Sequence, residues 1–376
     1  MDDHERLQRN WRALYRLCHR YICRKFNMTH EDLSVDGPVL LIPNHSCGWD
    51  PLLVAMSLPE KQVYFVASEH IFRLGFVSRL LERFLAPIPR KKASSGADTV
   101  KACLRHLKAG HSVCLFAEGE QTWDGVSRPV FPATGKLVKS SGATLVTYRI
   151  EGAYLSLPRW GKGVRRGRVH GAPVGIYPPE TLRSMTPQAI NALIERDLYE
   201  NAWTRQRENP VAFKGRRRAE GLERMLYLCP SCRRIGTLQS RGDRVFCSCG
   251  LDLHYTEEGF FNPCEPFSTL ADWDAWQRKT LKTIDFSPSE PCFSDEGAVL
   301  SRIGAGHREE LLARGKLLRY ADRLECGAFS FPADEIVSMA MVQDHLLLFS
   351  FRDEYYQIRA GKNANLKKYL DLQTAG

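Results

Sequence analysis

Long apolar runs are missing from this chain of 376 residues. Stretches such as VYFVA at 63–67 and LLLF at 346–349 fall far short of the ~20 residues that cross a bilayer, which excludes a polytopic membrane protein. The first 25 residues are studded with Arg and lack an apolar core segment, so no secretory signal is expected. Internal repeats and low-complexity tracts are missing too, and 28 Gly with 20 Pro is no excess. Hydrophobic residues make up 43% of the chain, which excludes disorder as the main state. The length suits two to three domains with at least one well-buried core.

Acidic residues are short in the first part only. Residues 1–220 carry 34 Lys and Arg against 21 Asp and Glu, whereas the rest carries 19 against 22. The whole net charge of +10 thus belongs to the first part. A basic surface of that size favours an anionic partner: a phospholipid surface, a nucleic acid, or a phosphorylated or CoA-like substrate. The twelve cysteines do not read as a disulfide scaffold in so long a chain. Cys18, Cys23, Cys47, Cys103 and Cys114 are scattered, and four others cluster between 229 and 249, which predicts a reducing compartment and one metal site.

Residues 5–26 predict a helix with an apolar stripe of Leu7, Trp11, Leu14, Cys18 and Ile22, and Arg on its other faces. Two readings stand: a helix packed on its domain, or one lying in a membrane interface with Arg among anionic headgroups. From residue 38, apolar strands (38–45, 63–69, 112–119, 143–150) alternate with helices (51–58, 75–84, 97–109), and 187–208 is helical. That order predicts an α/β fold with a largely parallel sheet and chemistry at strand ends. The expected division is an amphipathic N-terminal helix (1–34), an α/β domain (35–213), a basic linker (214–224), a metal ribbon (225–262), and a β-rich domain with a C-terminal helix (263–376).

NHSCGWDP follows the first strand and places His45 five positions before Asp50. An imidazole with an ordinary pKa near 6.5 is suited to take a proton from an alcohol, with a carboxylate orienting the ring. FAEGEQ follows the 112–119 strand, where Gly119 would let backbone approach a ligand and Glu118 would bond a hydroxyl or organise the loop. PIPRKK at 87–92 offers Arg90 as a phosphate grip. Taken in order, NHSCGWD, PIPR, FAEG and LVTYRI resemble the four blocks of the glycerolipid acyltransferases, the 1-acylglycerol-3-phosphate acyltransferases and their relatives, over about 35–155.

The resemblance implies acyl transfer from acyl-CoA or acyl-carrier protein to a hydroxyl of lysophosphatidate or a related lysophospholipid. His45 would be the general base, Asp50 its orienter, and Arg90, Glu118 and Gly119 the acceptor-binding residues, with no catalytic cofactor. Cys47 as a nucleophile is the competing idea. The chain departs from the family pattern where Ala117 stands for Pro and Glu120-Gln121 for Thr-Arg. The missing cation would then come from Arg90, Lys91, Arg128 or Lys136.

Two cysteine pairs, CPSC at 229–232 and CSC at 247–249, enclose a hairpin-length segment. Cys229, Cys232, Cys247 and Cys249 predict a structural zinc ribbon, with disulfides, an iron site of rubredoxin type, and His254 as a substitute ligand as alternatives. A ribbon also raises nucleic-acid binding as a rival function, which the −3 balance beyond residue 220 argues against. The C-terminal strands and helix resemble a pleckstrin-homology or GRAM module in topology only. The expected whole is a peripheral enzyme of phospholipid biosynthesis on the cytoplasmic face of the cell membrane, with no nucleic-acid partner. A catalytically inactive lipid-binding scaffold and a zinc-ribbon nucleic-acid-binding protein are the remaining alternatives.

Overall fold

The computed structural model describes residues 3–73, 75–90, 96–287, 289–304, 308–361 and 364–374. Lys91 and Lys92 of the expected phosphate grip lie outside them. Helix α1 (Asp3–Phe26) is followed by β1 (Met28–His30), β2 (Val39–Pro43), α2 (Asp50–Ala55), β3 (Val63–Ser68), α3 (Phe76–Leu85), β4 (Ile88–Arg90), α4 (Ala97–Lys108) and β5 (Ser112–Cys114). Then come α5 (Thr134–Ser141), β6 (Thr144–Glu151), α6 (Ala153–Ser156), β7 (Val169–Tyr177), α7 (Pro179–Ser184), α8 (Pro187–Leu198) and α9 (Ala202–Glu208).

These strands form one sheet in the order β1-β7-β6-β2-β5-β3-β4. From β6 to β4 all neighbours are parallel, while β7 runs antiparallel to β6. β2 lies at the centre, and all five of its residues are buried, as a strand covered on both faces requires. Alternation along β2 sends Leu40 and Ile42 to a core shared with α4, α5 and α8, and Val39 and Leu41 to a core shared with α1 and α2. The result is a mixed α/β layer structure with helices on both faces.

Strand β7 is not anticipated by the sequence. VHGAPVGIY carries Gly171, Pro173 and Gly175, which weaken a strand pattern. A register shift opposite Thr147 and Tyr148 lets the ladder continue past Pro173. The helix predicted over 187–208 is two, because Asn201 caps α9 with its side-chain oxygen on the amides of Trp203 and Thr204. On α1, Leu7, Trp11, Ile22 and Phe26 are buried against the domain, and Leu14 and Cys18 pack beside them. The apolar stripe therefore faces protein rather than lipid. Leu17 and Tyr21 stay exposed beside Arg16, Arg20 and Arg24.

Strands β8 (Leu238–Arg241), β9 (Arg244–Cys247), β10 (Asp252–Tyr255) and β11 (Phe261–Asn262) make a small antiparallel sheet, followed by α10 (Leu270–Leu281). A third sheet holds β12 (Phe293–Ile303), β13 (Glu309–Arg319), β14 (Arg323–Cys326), β15 (Phe329–Pro332), β16 (Ile336–Val342), β17 (Leu346–Phe351) and β18 (Glu354–Arg359). Its order is β15-β14-β13-β12-β18-β17-β16, all antiparallel, and α11 (Lys367–Gln373) is the last element among the described residues. The stretch 214–224, expected as a basic linker, is packed: Ala219 and Leu222 are fully buried, and Arg218 is nearly so, paired with Asp243 at 2.9 Å.

One apolar cluster runs from Trp123, Tyr154 and Trp203 through the small sheet and α10 into the C-terminal sheet and Tyr369. A buried ion network closes it. The ammonium of Lys367 lies 2.6 Å from Asp274 and 2.5 Å from Asp371, and the Tyr227 hydroxyl donates to Asp371 at 3.0 Å. Removing one partner of a buried pair leaves an uncompensated charge. Lys367→Ala is expected to cost about 3–5 kcal/mol of unfolding free energy. Urea unfolding followed by tryptophan fluorescence checks this, and the shared core predicts that a single transition moves as a whole.

Candidate active site

β2 carries the chain to the site, and Asn44 extends its pairing with β6 by side chain. Its carbonyl oxygen accepts from the Ile150 amide at 2.7 Å, and its NH2 donates to the Ile150 carbonyl at 3.0 Å. The sequence reading missed Asn44, although an amide directly before the candidate histidine was the available signal. His45 follows with its backbone held on both sides. Its amide donates to Glu118 Oε1 at 2.8 Å, and its carbonyl accepts from the Thr122 amide at 2.9 Å.

The loop 46–49 then folds back so that Asp50 opens α2, with Pro51 in the first turn where its missing N–H costs nothing. Asp50 is fully buried. Its Oδ2 accepts from His45 Nδ1 at 2.8 Å and from the amides of Ser46 at 2.5 Å and Cys47 at 2.8 Å. The His45 ring stacks on Phe116 with centroids 4.2 Å apart and keeps partial exposure. With Nδ1–H assigned to Asp50 from this network, Nε2 presents a lone pair. That is the geometry a base–orienter pair requires, at the end of a central strand.

Cys47 does not share the exposed position. Its thiol is fully buried, donates to Asp50 Oδ1 at 3.2 Å, and is pushed well up in pKa by burial and by the Asp50 charge. A buried neutral thiol is inert as a nucleophile.

Glu118, expected either to bond a hydroxyl or to organise the loop, is engaged by backbone. Besides the His45 amide, it accepts from the Arg128 amide on Oε2 at 2.7 Å, so both oxygens are used by backbone. It organises the two loops. Gly119 has φ +75°, and a Cβ there would stand 2.1 Å from the Phe131 ring, so both conformation and space demand glycine. Arg90, at the end of β4, lies over Phe131 at 4.7 Å, and burial lowers its pKa.

A cavity of about 440 Å³ opens at His45, with Pro51, Leu52, Phe65, Leu81 and Phe116 among its apolar walls. Arg90, Gly119 and Arg159 also line it, as do Val342 and Gln343 of the C-terminal sheet. A second cleft of about 1160 Å³ shares Arg90 and Gly119 and adds Glu118, Arg128, Arg278 and Lys367. The structure thus brings His45, Asp50, Arg90 and Gly119 together.

Arg159 was missed, because an Arg between α6 and β7 carries no sequence signal. It stacks 3.4 Å from the Trp123 ring centroid and donates to the carbonyls of Gln121 at 3.1 Å and Gln343 at 2.8 Å. Burial lowers its pKa to about 10, which leaves it charged at neutral pH. Glu120 accepts from the Met341 amide at 3.2 Å. Lys136 is exposed, and Arg128 is nearly half exposed.

The four cysteines converge as predicted from their spacing. Cys229 and Cys249 sulfurs are 3.6 Å apart, Cys232 and Cys247 sulfurs 3.8 Å, and all four lie within 4.8 Å of one another. Tetrahedral zinc with Zn–S near 2.3 Å spaces its sulfurs by about 3.8 Å, so the set fits the ion. Two turns present them: Arg233 at φ +56° with its amide on the Cys229 carbonyl, and Gly250 at φ +99° with its amide on the Cys247 carbonyl. His254 is not in this group.

Burial pushes the Glu118 carboxyl up to about 7 from its ordinary 4.5. Between those values the folded chain holds a proton that the unfolded chain has released, so the group's contribution to stability is lost as pH rises through the window. The wild-type chain is expected to lose about 3 kcal/mol more than Glu118→Gln from about pH 4 to about pH 8. Unfolding free energies of both chains across that range check it.

Residues 25–151 match the model of the Acyltransferase family. Two curated relatives align over 132 residues, 35% of this chain. One is the chloroplastic 1-acyl-sn-glycerol-3-phosphate acyltransferase BAT2 of Brassica napus, 24% identical, and the other is LPAT1 of Arabidopsis thaliana, 25% identical. The chain spans 38% and 36% of their lengths. Among solved structures, the 1-acyl-sn-glycerophosphate acyltransferase PlsC of Thermotoga maritima overlaps 50% of this chain and 78% of its own at a TM-score of 0.43 and 15% identity. Residues 25–151 thus carry an acyltransferase-type domain similar to those of the glycerolipid acyltransferases.

Proposed function

We propose that the chain is an O-acyltransferase that moves a fatty acyl group from acyl-CoA or acyl-carrier protein to the hydroxyl of lysophosphatidate or a related lysophospholipid. The observation that carries this reading is the 2.8 Å contact of His45 Nδ1 with Asp50, set at the mouth of an apolar cavity of about 440 Å³. His45 Nε2 takes the acceptor's hydroxyl proton as the oxygen attacks the thioester carbonyl. Asp50 holds the tautomer and stabilises the imidazolium. Collapse of the tetrahedral intermediate expels the thiolate, which receives the proton from His45. No acyl-enzyme forms, in keeping with the burial of Cys47.

The apolar wall takes the acyl chain, and Arg90 and Arg159 grip the acceptor phosphate in place of the Arg that the family's third block has. Glu118 and Gly119 shape that binding loop. The four cysteines hold a structural zinc, which fixes the small sheet and supplies no chemistry to the reaction. The exposed Arg16, Arg20 and Arg24 with Leu17 and Tyr21 support a docking of α1 on an anionic lipid surface, on the cytoplasmic face.

Turnover of labelled acyl-CoA with lysophosphatidate tests the reading. His45→Ala is expected to lower kcat by about 10²- to 10⁴-fold. An unchanged rate, or none in the wild-type chain with either donor, leaves a lipid-binding scaffold instead. Arg159→Ala is expected to raise the KM for lysophosphatidate by about 10- to 100-fold, the worth of one charged hydrogen bond, and to leave monoacylglycerol turnover unchanged. A collapse of the site would lower both.

A further inference from the structure

Of the two convergent ligand clusters among the described residues, only one was visible in the cysteine spacing. The other joins α1 to the edge strand β1. His19 and Cys23 stand one turn apart on α1 and share a face. The chain reverses at Asn27, whose φ is +49° and whose side-chain NH2 donates to the Gly167 carbonyl at 2.8 Å. β1 then pairs with β7, and Thr29 meets His170 at 2.9 Å. Its neighbour His30 points to the other face, towards α1. His19 Nε2 and His30 Nε2 come to 2.8 Å, and Cys23 Sγ lies 3.6 Å from His19 Nε2. The ligand atoms of the three residues all lie within 4.8 Å of one another.

We propose that His19, Cys23 and His30 form a second metal site, for a divalent ion of the zinc class. Tetrahedral geometry with M–N near 2.0 Å and M–S near 2.3 Å spaces two nitrogens by about 3.3 Å and nitrogen from sulfur by about 3.5 Å. The observed 2.8 Å needs a shift of about half an ångström at one imidazole, the 3.6 Å already fits, and the third pair, Cys23 with His30 within 4.8 Å, closes with the same ring movement towards the ion. A plain His–His hydrogen bond explains the nitrogen pair but gives the thiol no part. It also leaves His30 Nδ1, which is buried, without a well-formed hydrogen bond. The Asp32 carboxylate stands 3.3 Å from that nitrogen. A carboxylate behind a ligating imidazole is the usual outer partner that fixes tautomer and ring orientation. Two imidazoles and one thiolate suit zinc over calcium or magnesium, and the partial exposure of all three leaves a fourth position for water.

The ion would clamp α1 to the sheet edge. On the same helix, Trp11 Nε1 donates to the Leu58 carbonyl at 2.7 Å and Tyr15 to the Met56 carbonyl at 3.0 Å. Trp11 also lines the cavity at His45. The site therefore acts through the helix that forms a cavity wall, and it does not depend on the acyl-transfer reading.

The test uses the full chain, stripped with chelator and titrated with Co²⁺ alone, followed by visible absorption and by metal per folded chain. Wild type is expected to bind two ions. His30→Ala and Cys23→Ala, checked for folding by circular dichroism, are each expected to bind one fewer than wild type. Cys23→His is expected to keep the ion while losing one sulfur-to-cobalt band. Cys229→Ser removes the other site, so the two losses are told apart. The same metal count in wild type and His30→Ala overturns the proposal. If wild type binds a single ion that His30→Ala loses, the proposal stands and the four-cysteine site is the one that fails.

Discussion

A single buried carboxylate holds the site together. Asp50 has no contact with solvent, and a charge in that position is tolerable only if it is met by donors. It is met by four: the His45 ring, the amides of Ser46 and Cys47, and the Cys47 thiol. The two amides fix the loop's path, and that path decides where the imidazole can stand. Orientation of the ring and folding of the loop are therefore one event. A change at Asp50 would lose both.

Around this centre, polar side chains do the work that strand ladders do elsewhere. Asn44 replaces two backbone partners at the end of β2, where the chain must leave the sheet. Glu118 joins the 45 loop to the 128 loop through one carboxylate. Only a carboxylate accepts on both oxygens, which explains an acid at a position where burial opposes its charge.

The local parts of this arrangement were legible in the sequence. Buried strands, the His45–Asp50 spacing and the cysteine pairs all depend on residues close together in the chain. Pairings set by distant segments were not. β7 hides behind Gly171, Pro173 and Gly175, and its neighbours supply the order that its own residues do not. Periodicity found the buried stripe of α1 and could not say what covers it. The Arg run at 216–218 reads as part of a basic linker, and Arg218 is drawn inside by Asp243. His30 lies seven residues beyond Cys23, across a turn whose reversal only the fold reveals.

The departure of Glu120-Gln121 from the family's Thr-Arg has a physical account. Glu120 gives one oxygen to the Met341 amide and sets the other 3.9 Å from Arg159, and the Gln121 carbonyl receives Arg159. The loop that in the resembled family offers a cation to the ligand is here turned to the C-terminal sheet. That sheet returns Val342 and Gln343 to the cavity wall, and the Gln343 carbonyl holds Arg159 from its other side. A buried cation that stacks on Trp123 and is fixed by two carbonyls is well placed and already largely desolvated, so it gives up little on meeting an anionic headgroup. On the proposed reading, the cation has moved from the loop to residue 159, and the C-terminal sheet has become part of the acceptor site. One continuous core from Trp123 to Tyr369 is what makes that transfer rigid enough to serve.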